Sequence, residues 1–465
     1  MHIFSSLFRT TSRIKYKVEN LSGKILCRVK KPKYAAIRRQ LIKANYIDDN
    51  TGFKIINKLD ARCAGPLSST HPENNTIMIV FQDFKAIFEV DNIFSLKQLN
   101  FSVILPNSEL LSQLDFLTAL HLSGWDQLTD IPSEIVKLTK LTNLTNLDLS
   151  YNHLIDIPSE IGNLTNLTKL SLSDNQLINI PSEIGNLTNL TKLSLSYNQL
   201  THIPSEICNL TSLTYLDLDC NQLTSPRRAD PLNPSGRIVP SEIGNLINLT
   251  ELYLGSNQLT TPQHADPLNP YGRSIPSEIG NLTSLIWLNL DSNQLTDMPS
   301  GIVNLINLTN LDLYNNQLTH ISSEIGNLTS LTELNLTSNQ LTHIPSEIGN
   351  LTSLTELNLN YNKLTSPRRA DPLNPSGRSM PSEIGKLTNL TRLNLSGNQL
   401  SDLQSEIGNL ISLTRLNLNS TQLTDLPSEI GKLTSLTYLD LGNNQFSIDV
   451  ELKIKTWFKQ GIVYC

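Results

Sequence analysis

The fold class that the sequence predicts is a repeat solenoid. It is an α/β stack in which each coil supplies one short parallel strand and one helical turn, with a small α+β domain in front of it. Three observations predict it. A phrase recurs at a fixed period: LTNLTKLSLSDNQLINIPSEIGN, residues 164–186, is followed at once by LTNLTKLSLSYNQLTHIPSEICN. Self-similarity at a period of roughly 20–50 residues is the signature of a solenoid or array. One asparagine keeps the period, at Asn152, Asn175, Asn198, Asn221, Asn257, Asn293, Asn316, Asn339, Asn362, Asn398 and Asn444, with Thr421 in its place once. The steps are 23 residues except for three of 36, and each long step holds one 13-residue insert.

The elements of a coil follow from its letters. In LTKLSLS, Leu170 and Leu172 alternate with polar residues, which predicts a strand with one buried face. Asn175 turns the chain, and its amide can satisfy backbone groups inside the coil. Threonine offers less, so the Thr421 coil is expected to be a soft spot. IPSEIGN predicts one helical turn, with Pro181 in its first turn and Gly185 or Asn186 as a left-handed cap. Ile180, Ile184 and Leu187 point inward, so each coil buries its apolar side only against its neighbours.

The ends break the rhythm. Residues 1–105 predict a basic α+β or capping domain: KYAAIRRQLIKANYI reads as a helix, DDNTG as a turn and TIMIVF as a strand. The solenoid is expected over 106–446, in about 13 repeats. Residues 447–465 are expected to form a capping helix, with Val450, Ile454, Trp457 and Phe458 on one face.

The pattern L-x-x-L-x-L-x-x-N-x-L, followed by I-P-S-E-I-G-N, resembles the leucine-rich repeat superfamily. It is most similar to the 23-residue class found in intracellular plant (Ras-group-related) and bacterial members. Plant receptor-like kinases share the I-P-x-x-I-G phrase, but this chain carries no kinase motif. The resemblance implies a horseshoe with a curved parallel sheet on its concave face and short helical turns on its convex face.

Composition narrows the function. No apolar run approaches 18 residues, so no transmembrane helix is expected. Five cysteines, at 27, 63, 208, 220 and 465, lack paired spacing. That argues against zinc or disulfide frameworks and for a reducing, cytoplasmic setting. The net charge of −6 conceals an asymmetry: residues 1–47 hold twelve Lys or Arg against the single acid Glu19, leaving an acidic remainder. Such an arm suits nucleic acid, anionic membrane or an acidic partner, or is a solvated basic face. MHIFSSLFRTTSRIKYK lacks acids as organelle transit peptides do, and its apolar part is short for a secretory signal.

Signatures of catalysis are missing. There is no G-x-G-x-x-G, G-x-x-x-x-G-K-[ST], H-E-x-x-H or G-x-S-x-G, so neither cofactor nor metal nor catalytic residue is expected. His202, His320 and His343 share one repeat column with Asp156, Asn179 and Asp297, which reads as a tolerant exposed position. Asn-Leu-Thr at Asn163, Asn186, Asn209, Asn281 and Asn327 is a glycosylation triplet in form and repeat grammar in origin. The inserts, SPRRADPLNPSGR at 225–237 and 366–378 and TPQHADPLNPYGR at 261–273, are expected as turn-rich loops at one rim. They are either a binding feature or a passive duplication.

The outward strand positions carry the functional expectation. Early coils offer Lys169, Ser171, Lys192 and Ser194, and late coils Arg392, Asn394, Arg415 and Asn417. Between them stand Tyr215, Asp217, Asp219, Glu251, Tyr253, Trp287, Asp291, Asp312, Tyr314, Glu333 and Glu356. Aromatics at the centre of a surface are typical anchors, and the acids favour a basic protein partner. The expected function is therefore a non-catalytic interaction module or scaffold in signalling. Two alternatives stand: a secreted effector or surface recognition protein, and an enzyme whose N-terminal domain acts on a target chosen by the repeats, with His71 and scattered acids as its candidates.

Overall fold

Leucines at alternate positions build the structure from its core outward. The computed structural model describes residues 143–223, 238–260, 275–365, 380–458 and 462–464. Ahead of these it describes residue 123 and the strand segments 14–18, 25–27, 78–81, 86–90, 98–101 and 119–121. The three inserts and the expected N-terminal helix lie outside the described residues. The chain forms two compact units, Met1–Gln199 and Leu200–Cys465.

In the first unit, β1 (Ile14–Val18) pairs antiparallel with β4 (Ala86–Val90). A second ladder runs from β2 (Ile25–Cys27), antiparallel to β3 (Met78–Phe81), which lies inside the expected TIMIVF strand. It continues in parallel through β5 (Gln98–Phe101), β6 (Ala119–His121), β7 (Asn146–Asp148), β8 (Lys169–Ser171) and β9 (Lys192–Ser194). The strands that precede the repeats therefore pair directly with the repeat ladder.

The second unit is one parallel ladder in chain order. Its strands are β10 (Tyr215–Asp217), β11 (Glu251–Tyr253), β12 (Trp287–Asn289), β13 (Asn310–Asp312), β14 (Glu333–Asn335), β15 (Glu356–Asn358), β16 (Arg392–Asn394), β17 (Arg415–Asn417) and β18 (Tyr438–Asp440). Helix α1 (Ile448–Trp457) follows, and β19 (Val463–Tyr464) then pairs with β18. Register is fixed leucine to leucine, Leu216 on Leu252 on Leu288 on Leu311, and all four are almost wholly buried. Burying one such side chain contributes roughly 1.5–3 kcal/mol. A one-residue slip would turn the whole leucine row to solvent, so the register is strongly specified.

The period asparagine joins coils. Asn293 donates to the carbonyls of Leu254 (3.0 Å), one coil back, and Leu290 (3.1 Å), while its Oδ1 accepts from Leu259 N–H (3.0 Å). The residue before each asparagine holds a left-handed backbone, as at Asp174 (φ 56°), Ser256 (φ 50°) and Tyr361 (φ 54°). Non-glycine residues seldom adopt it, so the bond network of the turn must hold them there.

The helical turn differs from expectation in two ways. It is a five-residue 3-10 turn, for example Ser182–Asn186, closed by Leu187 N–H on the Ile184 carbonyl at 3.1 Å. Pro181 caps it from outside, with extended backbone (φ −67°, ψ 148°). The turn ends on Leu187 at φ −80°, so neither Gly185 nor Asn186 is a left-handed cap. At Gly162 glycine serves close approach instead. A Cβ on Gly162 would lie 2.5 Å from the carbonyl oxygen of Glu183 on the next coil.

At the far end, Ser447 caps α1 by accepting from Val450 N–H, and Ile454 is fully buried. Trp457 lies over Gly431, where an added Cβ would stand 3.5 Å from the indole. The helix thus covers the last coil.

Candidate functional site

The strand phrase x-L-x-L sends its leucines inward and its alternate residues outward. Equivalent outward residues of successive coils then stand side by side, about 4.8 Å apart. In the second unit this register puts Tyr215 beside Glu251, Glu251 beside Trp287, and Asp217 beside Tyr253.

The aromatic members of the expected site come together. The rings of Tyr215 and Tyr253 are 5.4 Å apart at 45°, and those of Tyr253 and Trp287 are 6.4 Å apart at 29°. Tyr253 Oη donates to Glu251 Oε2 at 3.0 Å, and Tyr215 Oη reaches Asp217 Oδ2 at 3.4 Å. Burial and these acids raise both phenols above their ordinary range, so both remain neutral donors. Trp287 is 37% exposed at the end of the strip.

Beside the strip is an acidic row. Asp219 Oδ1 accepts Gly255 N–H (2.6 Å), and its Oδ2 accepts Asn289 Nδ2 (3.1 Å). Burial, then the Asp217 charge, pushes Asp219 up to about 7, with Asp291 adding and the two hydrogen bonds opposing. Asp291 fills the space over Gly255, where a Cβ would meet its Oδ1 at 2.0 Å. Further along, Asp312 accepts Tyr314 N–H (2.8 Å) and Asn335 Nδ2 (3.2 Å), and burial raises its pKa too.

Other members of the expected site stand apart. Tyr314 is 39% exposed and outside the ring contacts. Glu333 accepts from Asn310 (2.8 Å), and Glu356 is paired with Arg392 Nη1 (3.1 Å). Sequence reasoning missed Asn289 and Gly255, which hold Asp219. Both occupy outward columns already in view, so column alignment would have found them. It also missed Tyr438 and Tyr464, whose rings are 5.1 Å apart, with the Arg415 guanidinium 5.5 Å from the Tyr438 ring centre. Tyr438 has the repeat signal, whereas Tyr464 lies beyond the repeats and has none.

The histidine column is not uniformly exposed. His202 and His343 are buried, each with Nδ1 3.2 Å from the preceding threonine Oγ1. His320 is half-exposed and 3.4 Å from Asp297. Among the described residues no three His, Cys, Asp or Glu side chains are grouped to hold a metal ion. Cys208 and Cys220 are free thiols. Burial, with Glu242 and Glu206, pushes Cys208 up to about 12, which makes it a poor nucleophile. Among the described residues no helix is long and apolar enough to cross a membrane.

Comparison with known proteins gives the family. The profile described as "Leucine-rich repeat region" matches residues 147–271 and 267–376, and related repeat profiles match 386–403 and 411–453. No curated protein sequence matches the chain. A leucine-rich repeat protein of Leptospira interrogans is 36% identical, with a TM-score of 0.62 over 80% of this chain and 90% of that one. An internalin from Listeria monocytogenes is 28% identical, with a TM-score of 0.57 over 76% and 87%. The ectodomain of the Arabidopsis thaliana receptor kinase GASSHO1/SCHENGEN3, solved in complex with Casparian strip integrity factor 2, is 32% identical with a TM-score of 0.50. The match covers 76% of this chain and 44% of that one. The chain belongs to the leucine-rich repeat family.

Proposed function

We propose that this protein is a non-catalytic interaction module that binds a protein partner on the outward sheet face of its central coils. The observation that carries the reading is the strip Tyr215–Tyr253–Trp287 with its acidic border. Rigid aromatic side chains give large contact area at low entropy cost and are enriched among binding hot spots. The border of Asp217, Asp219, Glu251 and Asp291 favours a basic partner surface and disfavours nucleic acid. The Arabidopsis relative, solved with a partner bound, supports the general role. The free thiols Cys208 and Cys220 favour a reducing, cytoplasmic compartment.

The double variant Tyr253→Ala, Trp287→Ala tests the reading. Wild-type and variant chains serve as baits for affinity purification from the native cell, with quantitative mass spectrometry, and each recovered partner is then titrated against both. Each truncation of a hot-spot residue costs about 2 kcal/mol or more, so the pair should weaken affinity by at least a hundredfold. Circular dichroism should be unchanged, because both rings face outward. Equal affinity for wild type and variant would place the binding surface elsewhere.

A further inference from the structure

A solenoid needs a polar outer face on its terminal cap. The C-terminal cap of this chain departs from that rule. Helix α1 turns Ile454 inward, fully buried, and sets Trp457 over Gly431 of the last coil. Its opposite side carries Ile448, 77% exposed, and Leu452, 58% exposed. Residues four apart stand one above the other on a helix, so the two form one apolar ridge. Beside the ridge lie the exposed Asp449 and Lys453, again four apart. The sheet is open at the same end. Leu439 N–H donates to the Ile462 carbonyl (2.9 Å) and Leu441 N–H to the Tyr464 carbonyl (2.6 Å), so residues 462 and 464 turn their backbone groups toward β18. The N–H and C=O of Val463, between them, point the other way. Within the second unit, among the described residues, β19 pairs only with β18.

We propose that this end face docks a second copy of the chain, tail to tail about a two-fold axis normal to the sheet. One axis satisfies both elements. It sets the two β19 strands antiparallel, and Val463 then exchanges both of its backbone hydrogen bonds with the partner subunit's Val463. It also keeps both α1 helices on one side of the joined sheet and runs them antiparallel. Ile448 then meets the partner subunit's Leu452, and Asp449 meets the partner subunit's Lys453. Parallel helices would set acid on acid and base on base, so the charges select the two-fold arrangement. An isologous interface uses one patch on both subunits, and this patch is complementary to itself in backbone, apolar ridge and charge. One helix face and one short strand make a small interface, so the dimer is reversible. It also places one Tyr215–Tyr253–Trp287 strip per copy on the same side of the joined sheet. At about 4.8 Å per strand step, the two Trp287 side chains stand about 70 Å apart along it. A partner that carries its determinant twice then binds with avidity.

Sedimentation equilibrium of the full chain tests this. The weight-average mass should climb from 51.8 kDa toward twice that value between about 1 and about 200 μM chain. Leu452→Lys should raise the dissociation constant at least tenfold and leave circular dichroism unchanged, because the side chain is exposed in the single copy. Asp449→Lys and Lys453→Asp should each weaken self-association at least fivefold. Mixing these two variants should restore it as a heterodimer, since opposite charges face each other again. Exchange of the Val463 amide hydrogen should slow at least fivefold from the lowest concentration to the highest. A single-copy mass throughout, an undiminished dimer in Leu452→Lys, no recovery in the mixture, or unchanged Val463 exchange overturns the proposal; another protein or solvent then covers this end. The Tyr253→Ala, Trp287→Ala chain should dimerise as wild type does, so the sheet face as a binding surface is decided separately.

Discussion

Asp219 is where the chemistry of the face is most unlike that of an ordinary surface acid. Burial and the Asp217 charge raise its pKa to about 7 from the ordinary aspartate value of 3.8, although Gly255 N–H and Asn289 Nδ2 both favour the charged form. The folded state therefore holds its proton more tightly than the unfolded chain does. The stability this contributes is fully present below about pH 4 and is lost as the pH rises through about 7. A cationic partner prefers the deprotonated form, so affinity should rise over the same upper range. Carboxyl carbon NMR of aspartate-labelled protein should show one titration near pH 7. Asp217→Asn should move it lower, since it removes a neighbouring charge and keeps the oxygen that accepts Asp219 N–H. A titration for Asp219 near pH 4, or one unmoved by Asp217→Asn, would remove this account. The residues stand in columns the sequence shows, but the raised pKa is not legible there. The Asn289–Asp219 bond joins residues 70 apart, and burial at one outward position depends on what its neighbours carry.

Coils were far more legible than their joints. Alternation at Leu170 and Leu172 predicted β8, and the same grammar predicted every later repeat strand. Pro-Ser-Glu-Ile-Gly-Asn suits a helix start and so predicts a helical turn. The turn is a five-residue 3-10 turn instead, and it keeps that form where Cys208 or Val303 stands in place of the glycine. The polar company of the histidine column predicts exposure, but depth is not written in the column, and His202 and His343 are buried. The Thr421 joint was legible as a departure, and the structure gives its physics. The Thr421 hydroxyl donates to the Leu418 carbonyl (2.7 Å) and reaches Asn444 Oδ1 (2.9 Å). In the preceding coil, Asn398 also donates to the Leu359 carbonyl (2.9 Å) and accepts from Leu364 N–H (3.1 Å), each one coil back. A threonine hydroxyl is too short to make that pair of bonds. Gln422 adds a left-handed backbone found at this point in no other described coil (φ 67°). Thr421→Asn should therefore stabilise the protein by about 1 kcal/mol. Thermal unfolding should shift upward by roughly 2–4 °C. A fall in the midpoint would mean that this coil has no room for the longer side chain.

At the scale of the whole molecule, the inserts pose the question of what a stack of coils can tolerate. A solenoid is held together by nearest neighbours, so its integrity depends on keeping each coil in register with the next. Core residues stand close on both sides of the first insert: Leu223 and Ile238 are fully buried, and the Ile238 carbonyl accepts Ile203 N–H at 3.1 Å. Removing residues 225–237 joins Leu223-Thr224 to Ile238-Val239-Pro240, which restores the 23-residue spacing of the coils that have no insert. The period asparagines Asn221 and Asn257 keep their places on either side, and Leu223 N–H already bonds to Asn257 Oδ1 at 3.2 Å. A shorter connection also lowers the entropy of closing the loop, by about 0.6 kcal/mol per halving of its length. The deletion should therefore leave circular dichroism unchanged and move the thermal midpoint by no more than about 4 °C, the shift that about 1 kcal/mol produces in a domain of this size. A drop of more than about 10 °C would show that the insert carries part of the fold. With folding intact, titration of a partner recovered on the wild-type bait separates the two remaining readings: unchanged affinity marks the insert as a tolerated duplication, and lost affinity makes it part of the binding surface.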